Sequence, residues 1–181
     1  MKKLIPFIII FILFICNGCS IKEETPTDAL PLTESIMKLT SPAFNNNETL
    51  PSEYTCDGEG GNPPLIISDV PENAQSLALI FYDPDAPSGN WTHWSMWNLN
   101  PKMTKIAENS VPAGIEGINS YGDTRYGAPC PPSGTHKYIF KLYALDTLLS
   151  LTSRADTKQV EESMQGHILD QTELIGTYSR S

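Results

Sequence analysis

Positive charge is scarce in this 181-residue chain: 12 Lys and Arg stand against 21 Asp and Glu, a formal net charge of −9 at pH 7. No basic run exists to neutralise phosphates in bulk, so the surface is a poor partner for nucleic acid or for an anionic bilayer. A phosphate group, if bound, is bound in one pocket. Histidine occurs only 3 times and cysteine 4 times; the single CxxC spacing, Cys16–Cys19, falls in the N-terminal apolar segment, so no paired-cysteine metal centre is encoded in the rest of the chain. HExxH, GxSxG and an acidic pair at a defined spacing are also missing, which removes the hydrolase classes that those motifs define. No internal repeat is visible. The longest apolar run falls short of the roughly 20 residues of a spanning helix.

That run is nonetheless the first thing present. Met1–Lys3 form a short positive head, LIPFIIIFILFI follows, and then NGCS. The pattern predicts a secretory signal peptide over residues 1–18. Gly18 before Cys19 resembles the lipobox of bacterial lipoproteins, although Cys16 stands where a leucine is usual. Cleavage before Cys19 would leave a lipidated N-terminus in the cell envelope, with the rest of the chain outside the cytoplasm. Ser20 beside that cysteine fits outer-membrane sorting under the commonest Gram-negative rule. Ordinary secretion and a retained anchor helix are the alternatives. Residues 19–34 are polar, contain proline and lack a periodic apolar face, as a flexible tether does. Residues 35–181 then have the size of one domain. Without Lys2 and Lys3, 10 basic residues face 21 acidic ones, a net charge of −11.

Cys56 and Cys130 remain once Cys16 leaves with the leader and Cys19 carries lipid. An even pair in an exported chain permits a disulfide worth a few kcal/mol. Two buried thiols that never meet are the other reading.

Six segments read as strands: SIMKLT (35–40), PPLIISDV (63–70), SLALIFYD (76–83), THWSMWNL (92–99), KYIFKLYALD (137–146) and ELIGTYSR (173–180). The 15 prolines and 12 glycines supply many turns. DTKQVEESMQGHILD reads as a helix, with Val160, Met164 and Ile168 on one face and Asp156 or Thr157 as N-cap. The expected fold is mainly β, a β-sandwich with one or two short helices.

Polar groups sit at the ends of three of these strands. SLALIFYD alternates as a half-buried strand, placing Leu77, Leu79, Phe81 and Asp83 on one face, and Pro84 and Pro87 force the chain out of the sheet. THWSMWNL puts His93, Ser95, Trp97 and Leu99 together, and the strand after His136 aligns it with Tyr138, Phe140 and Leu142. An Asp, two His and a Tyr at strand ends can build a polar pocket, and each histidine can equally be a satisfied structural residue. Trp91, Trp94 and Trp97 form either an aromatic wall or part of the core. His167, beside Gly166, is expected to be structural, bonding a carbonyl near the helix end.

DPDAP (83–87), HW (93–94) and YGAPCPPSGTHKYIFKLYALD (126–146) resemble the phosphatidylethanolamine-binding protein family, and within it the bacterial branch of Raf kinase inhibitor-like proteins. SPAF (41–44), YTCDG (54–58), PPL (63–65), GHIL (166–169) and LIGTYSR (174–180) agree along the chain, so the resemblance spans about residues 36–180. It implies a β-sandwich of that family's type with a small anion pocket at one end, where Asp83, His93, His136 and Tyr138 bind a phosphate-like or carboxylate-like group such as a phospholipid head group. Asp85, Pro87, Trp91, Ala128 and Pro129 would shape the pocket, and the Ala86–Pro87 bond is a candidate cis peptide. Asp83 would hold a neighbouring histidine in its charged, donating form, or pair with a ligand's ammonium group. Ala128 stands where the family has glycine and would narrow the pocket or restrict its loop; Asn62 replaces a serine. The segment that covers the pocket in mammalian relatives has no counterpart after Tyr178, which leaves the site more open.

Three function classes follow. The first is a binding module for a small anion or phospholipid head group, with no cofactor and no metal. The second is an interaction protein that inhibits or regulates a partner such as a protease. The third is a weak enzyme, metal-dependent through two His and one Asp or hydrolytic through Ser133 near His136.

Overall fold

The apolar segments become strands wherever their side chains find something to pack against, and the order of those strands decides which ends meet. A computed structural model describes residues 37–180, all within one compact unit, Glu34–Ser181. The predicted signal peptide, tether and lipidation site Cys19 lie outside the described residues. In chain order the elements are β1 (Lys38–Thr40), β2 (Glu48–Thr49), a 3-10 turn (Ser52–Tyr54), β3 (Leu65–Ser68), β4 (Ser76–Asp83), β5 (Trp91–Leu99), β6 (Lys105–Ile106), β7 (Ile115–Glu116), β8 (Thr135–Leu145), α1 (Thr157–Met164) and β9 (Ile168–Ser179).

Two sheets result, a three-stranded one ordered β1-β3-β6 and a six-stranded one ordered β2-β9-β8-β4-β5-β7. Their pairings are antiparallel except that of β2 with β9. Leu39, Leu65 and Ile67 of the small sheet face Leu77, Leu79, Phe81, Met96, Phe140 and Leu142 of the large one, which makes the expected mainly β sandwich. Phe81 stacks on Phe140 at 3.8 Å and on Tyr126 at 5.4 Å. Burying one such ring contributes about 1.5–3 kcal/mol.

The far face of the large sheet is covered as well, which corrects the half-buried reading of β4. Ala78, Ile80, Trp97, Tyr143 and Leu145 pack there against Leu149, Val160 and Met164. A central strand with both faces buried needs apolar residues at nearly every position, and SLALIFYD supplies them. Asp156 caps α1, its side chain accepting from Gln159 N while the Gln159 side chain accepts from Asp156 N. The helix stops at Met164 because Gly166, at φ +79°, turns the chain. Ile168 therefore belongs to β9 and is exposed, not on the helix face as its spacing predicted. His167 is also placed differently: its Nδ1 pairs with the Asp146 carboxylate at 2.8 Å rather than with a carbonyl.

In β5 the two-residue period is broken twice. Phe81 pairs with Trp94 while its neighbour Tyr82 pairs with Thr92, so His93 is the extra residue of a β-bulge. A second shift lies between Leu77 and Leu79, where Asn98 takes φ +56°. These irregularities separate residues that strict alternation groups together. His93 and Leu99 reach the sandwich side, touching Phe81 and joining the inter-sheet core. Trp97 stays on the helix side.

Cys56 and Cys130 form a disulfide with a Cα–Cα distance of 5.4 Å across a separation of 74 residues. Cys56 N also donates to Pro129 O at 3.0 Å. Replacing both cysteines by serine is expected to lower the unfolding free energy by about 2–4 kcal/mol, since a long loop is then free in the unfolded chain. Urea unfolding reads this directly, and an unchanged midpoint would contradict it.

Candidate functional site

The site begins where β4 leaves the sheet. Pro84 has no amide hydrogen for the ladder, and the two aspartates around it replace the lost pairing. Asp83 Oδ1 accepts from Asp85 N at 2.8 Å, and Asp85 Oδ2 accepts from Lys137 N of β8 at 2.8 Å. The turn is thereby stitched to the start of β8. This brings Asp83 against His136, whose Nδ1 donates to Asp83 Oδ2 at 2.7 Å. Both are buried, at 4% and 7% exposure. An isolated buried carboxylate would be costly, and here one oxygen has an imidazole partner and the other a backbone amide.

The chain then turns within Ala86–Gly89, where Gly89 N donates to Ala86 O at 2.9 Å. No peptide bond is cis among the described residues, so Ala86–Pro87 is trans, contrary to expectation. The reason is positional: Pro87 follows the first residue of this turn, a place that takes a trans proline with its fixed φ, whereas cis-proline turns place it one residue later.

His93 completes the centre from the neighbouring strand. Its Nδ1 donates to Gly127 O at 2.8 Å, and its own carbonyl accepts from Gly127 N at 2.8 Å. The imidazole sits among the rings of Phe81, Tyr138 and Tyr121 at 5.3, 5.4 and 5.8 Å. Burial in these surroundings lowers its pKa to about 4, against weaker opposing pulls from the Gly127 carbonyl and Asp83. The ring is neutral at physiological pH. His93 is therefore not a histidine that Asp83 holds in its charged form, because its desolvation outweighs the nearby carboxylate.

Tyr138 is fully buried, and its hydroxyl makes no hydrogen bond of normal geometry, only a looser contact with the Asp83 carboxylate. Burial, and then the charge of Asp83, push its phenol pKa upward, so it remains a donor. These groups open on a cavity of about 270 Å³ lined by Asp83, Trp91, His93, Tyr121, His136 and Tyr138, with Pro87 among its other walls. The four predicted centre residues, Pro87 and Trp91 thus converge.

Other predicted residues do not. Asp85 acts through the backbone of Lys137 and does not line the cavity. Ala128 lines a second, neighbouring cavity of about 510 Å³, so its methyl group does not narrow the first; a Cβ added to Gly60 would lie 3.3 Å from it. Pro129 is buried and serves through its carbonyl to Cys56. Ser133 is exposed and outside the lining. Among the described residues no cluster of three His, Cys, Asp or Glu is arranged to hold a metal. The tryptophans divide between the roles: Trp91 on the cavity, Trp94 in the sandwich core and Trp97 beneath the helix.

Tyr121 was missed by sequence reasoning. It stands edge-on to Trp91 at 5.2 Å and belongs to both cavities. Its loop is held by Asn119, whose Oδ1 accepts from Tyr121 N and Asp123 N while Nδ2 donates to Arg125 O. The available signal was NSYGD, an Asn two residues before an aromatic and then Gly, as in a side-chain-stabilised turn.

Fold and site together define a two-sheet β-sandwich protein with a polar, aromatic-walled pocket at its strand ends. The family model for phosphatidylethanolamine-binding proteins matches residues 40–179, and the chain belongs to that family. It is 49% identical to a UPF0098 protein of Methanothermobacter thermautotrophicus over 150 residues, 80% of this chain and 99% of that one. A UPF0098 protein of Pyrococcus horikoshii is 40% identical over 190 residues, covering 99% of this chain and 91% of the relative. Among solved structures, a phosphatidylethanolamine-binding protein homolog from Chlamydia trachomatis superposes with a TM-score of 0.79 at 42% identity, covering 82% of this chain and 100% of the other. E. coli YbcL does so at 0.75 and 28% identity, over 80% of this chain and 99% of that one.

The His93 environment carries a pH dependence of stability. An unfolded histidine titrates near 6.5 and the folded one at about 4, so the folded state resists protonation. The associated stability is complete above about pH 6.5 and declines as pH falls toward 4, by up to about 3 kcal/mol. His93→Gln, which keeps a donor for Gly127, is expected to show a shallower decline across this window. Urea titrations at several pH values measure the difference.

Proposed function

We propose that this protein is a binding module for a small phosphate- or carboxylate-bearing ligand, a phospholipid head group among the candidates, held in the Asp83–His93–His136–Tyr138 cavity. The observation that carries the reading is the Tyr138 hydroxyl, a buried donor on the wall of that cavity that makes no hydrogen bond of normal geometry and has only a looser contact with Asp83. Natural interiors rarely leave such a group unsatisfied. His136 supports it: with Nδ1 committed to Asp83, Nε2 is the nitrogen left for a ligand, and a proton there gives a charged donor. An ammonium on the same ligand would find Asp83. The likeness of the motifs to the Raf kinase inhibitor-like branch belongs to this proposal.

Calorimetric titration of the full chain with phosphate, acetate and phosphoethanolamine tests it. Saturable binding is expected, weakened about fivefold to tenfold in Tyr138→Phe, which removes one hydrogen bond to a charged ligand. Asp83→Asn is expected to weaken it more, since the amide no longer anchors His136. Absence of binding by all three anions would overturn the reading in favour of a protein-interaction role, an inhibitor or regulator of a protease for example.

Export and lipid anchoring through Cys19 are part of the same proposal. The charged head, apolar core and Gly18–Cys19 junction support them. So does the Cys56–Cys130 bridge, since disulfides persist in oxidising compartments. In a bacterial host, Cys19→Ala is expected to abolish labelled-palmitate incorporation and to release the protein from the membrane fraction. Retained label would contradict lipidation at this residue.

A further inference from the structure

The chain beside the two cavities is held in two different ways. Up to Gly127 it is bonded to β5: Ser120 N donates to Thr92 O at 2.9 Å, and Gly127 N donates to His93 O at 2.8 Å. Beyond Ala128 the stretch PCPPSG (129–134) contains three prolines, which have no amide hydrogen to give to a ladder. Among the described residues, two bonds tie this stretch to the rest of the domain: the Cys56–Cys130 bridge, and the hydrogen bond from Cys56 N to Pro129 O at 3.0 Å. Both end on Cys56, which is itself well anchored. Thr55 N donates to Ser52 O at 3.0 Å and Gly58 N to Thr55 O at 3.1 Å. Asp57 accepts from the Tyr178 hydroxyl at 2.9 Å and pairs with Arg180 at 3.0 Å. Opening the bridge therefore frees the proline-rich side and leaves the Cys56 side in place.

The freed side is a wall of both cavities. Cys130 lines the first and the second, and Pro132 lines the first. Cys56 and Cys130 are both exposed. A thiol thus reaches the bridge without prior unfolding, and exposed disulfides are the ones that exchange, in contrast to buried staples. Pro129 and Pro131 are buried, which keeps the stretch against the domain after the bridge opens. Apolar burial has no preferred direction, however, so it does not hold Cys130 and Pro132 in their places on the cavity walls.

We propose that Cys56–Cys130 is a reversible redox latch, a site where a dithiol exchanges with the folded protein and releases residues 129–134 from the walls of both cavities while the sheets stay intact. One thiolate of the dithiol attacks Cys130 Sγ; a mixed disulfide forms, the bond between the two cysteine sulfurs breaks, and Cys56 leaves as a thiolate that takes up a proton. The second thiolate then attacks the reductant's sulfur in the mixed disulfide. Cys130 leaves and is protonated, and the reductant departs with its own two sulfurs joined. Two electrons and two protons pass from the dithiol to the cysteines, and exchange with an oxidised disulfide reverses each step. The latch governs the shape of the cavities and is independent of the ligand they take.

Treatment of the full-length protein with dithiothreitol, without denaturant, tests this. Alkylation followed by peptide mass mapping reads Cys56 and Cys130 separately from Cys16 and Cys19, and both bridge cysteines are expected to become alkylated. Amide NMR spectra of the oxidised and reduced protein then locate the effect. Resonances of β4, β5 and β8 are expected to keep their positions. The order parameters of Cys130, Ser133 and Gly134 are expected to fall from about 0.85 to below about 0.6, and reoxidation to restore them. A bridge that dithiothreitol opens only in denaturant would overturn the latch. So would unchanged order parameters at these three amides, or collapse of the native spectrum throughout on reduction, the mark of a general staple.

Discussion

A carboxylate buried at the end of a central strand organises this molecule. Asp83 is held in a largely apolar sandwich rim, and a charge in that position needs partners on every side that solvent has left. Pro84 removes the next ladder donor, the Asp85 amide folds back onto Oδ1, and His136 closes on Oδ2. Asp85 in turn takes the Lys137 amide that β4 no longer reaches. The two aspartates of DPDAP thus have different duties, one inside the cavity and one in the backbone. Together they set the relative position of β4 and β8 at the rim, and with it the cavity floor.

The other wall depends on an irregularity. In a regular β5, His93 would follow Ser95 and Trp97 to the helix side of the sheet. The bulge opposite Phe81 gives it a place on the sandwich side, among aromatic rings that desolvate it. Desolvation and tautomer then have one common origin, since the Gly127 loop supplies both the cover and the carbonyl. That loop is tethered by the Cys56–Cys130 bridge and the Cys56–Pro129 hydrogen bond to the segment just after the 3-10 turn. Local packing, covalent closure and the electrostatics of one ring are coupled through a few residues.

The large sheet is a rigid support because both its faces are covered. Phe81 and Phe140 anchor the inter-sheet side, while Val160 and Met164 of α1 seal the other. The polar groups of the site project from the ends of strands fixed in this way, so their geometry owes little to mobile loops. Tyr121 and the Pro87 turn are the exceptions, since they line the cavity from loops.

The mainly β class, the strand segments, the end of β4 at Asp83 and the alternation of His136 with Tyr138 were legible in the residues alone, because each follows from local rules: a two-residue period, the missing proline donor, an uninterrupted β8 through that stretch. The motifs also disclosed the residues of the centre. Long-range packing is what buries β4 on both faces, puts His93 on the sandwich side through a bulge, turns Ala128 to a different cavity, brings Tyr121 to the cavity lining and leaves Ala86–Pro87 trans. Those features depend on register across strands and on which loop covers which rim. Both are fixed by contacts between residues far apart in the chain, where a one-residue slip reverses the face a side chain presents.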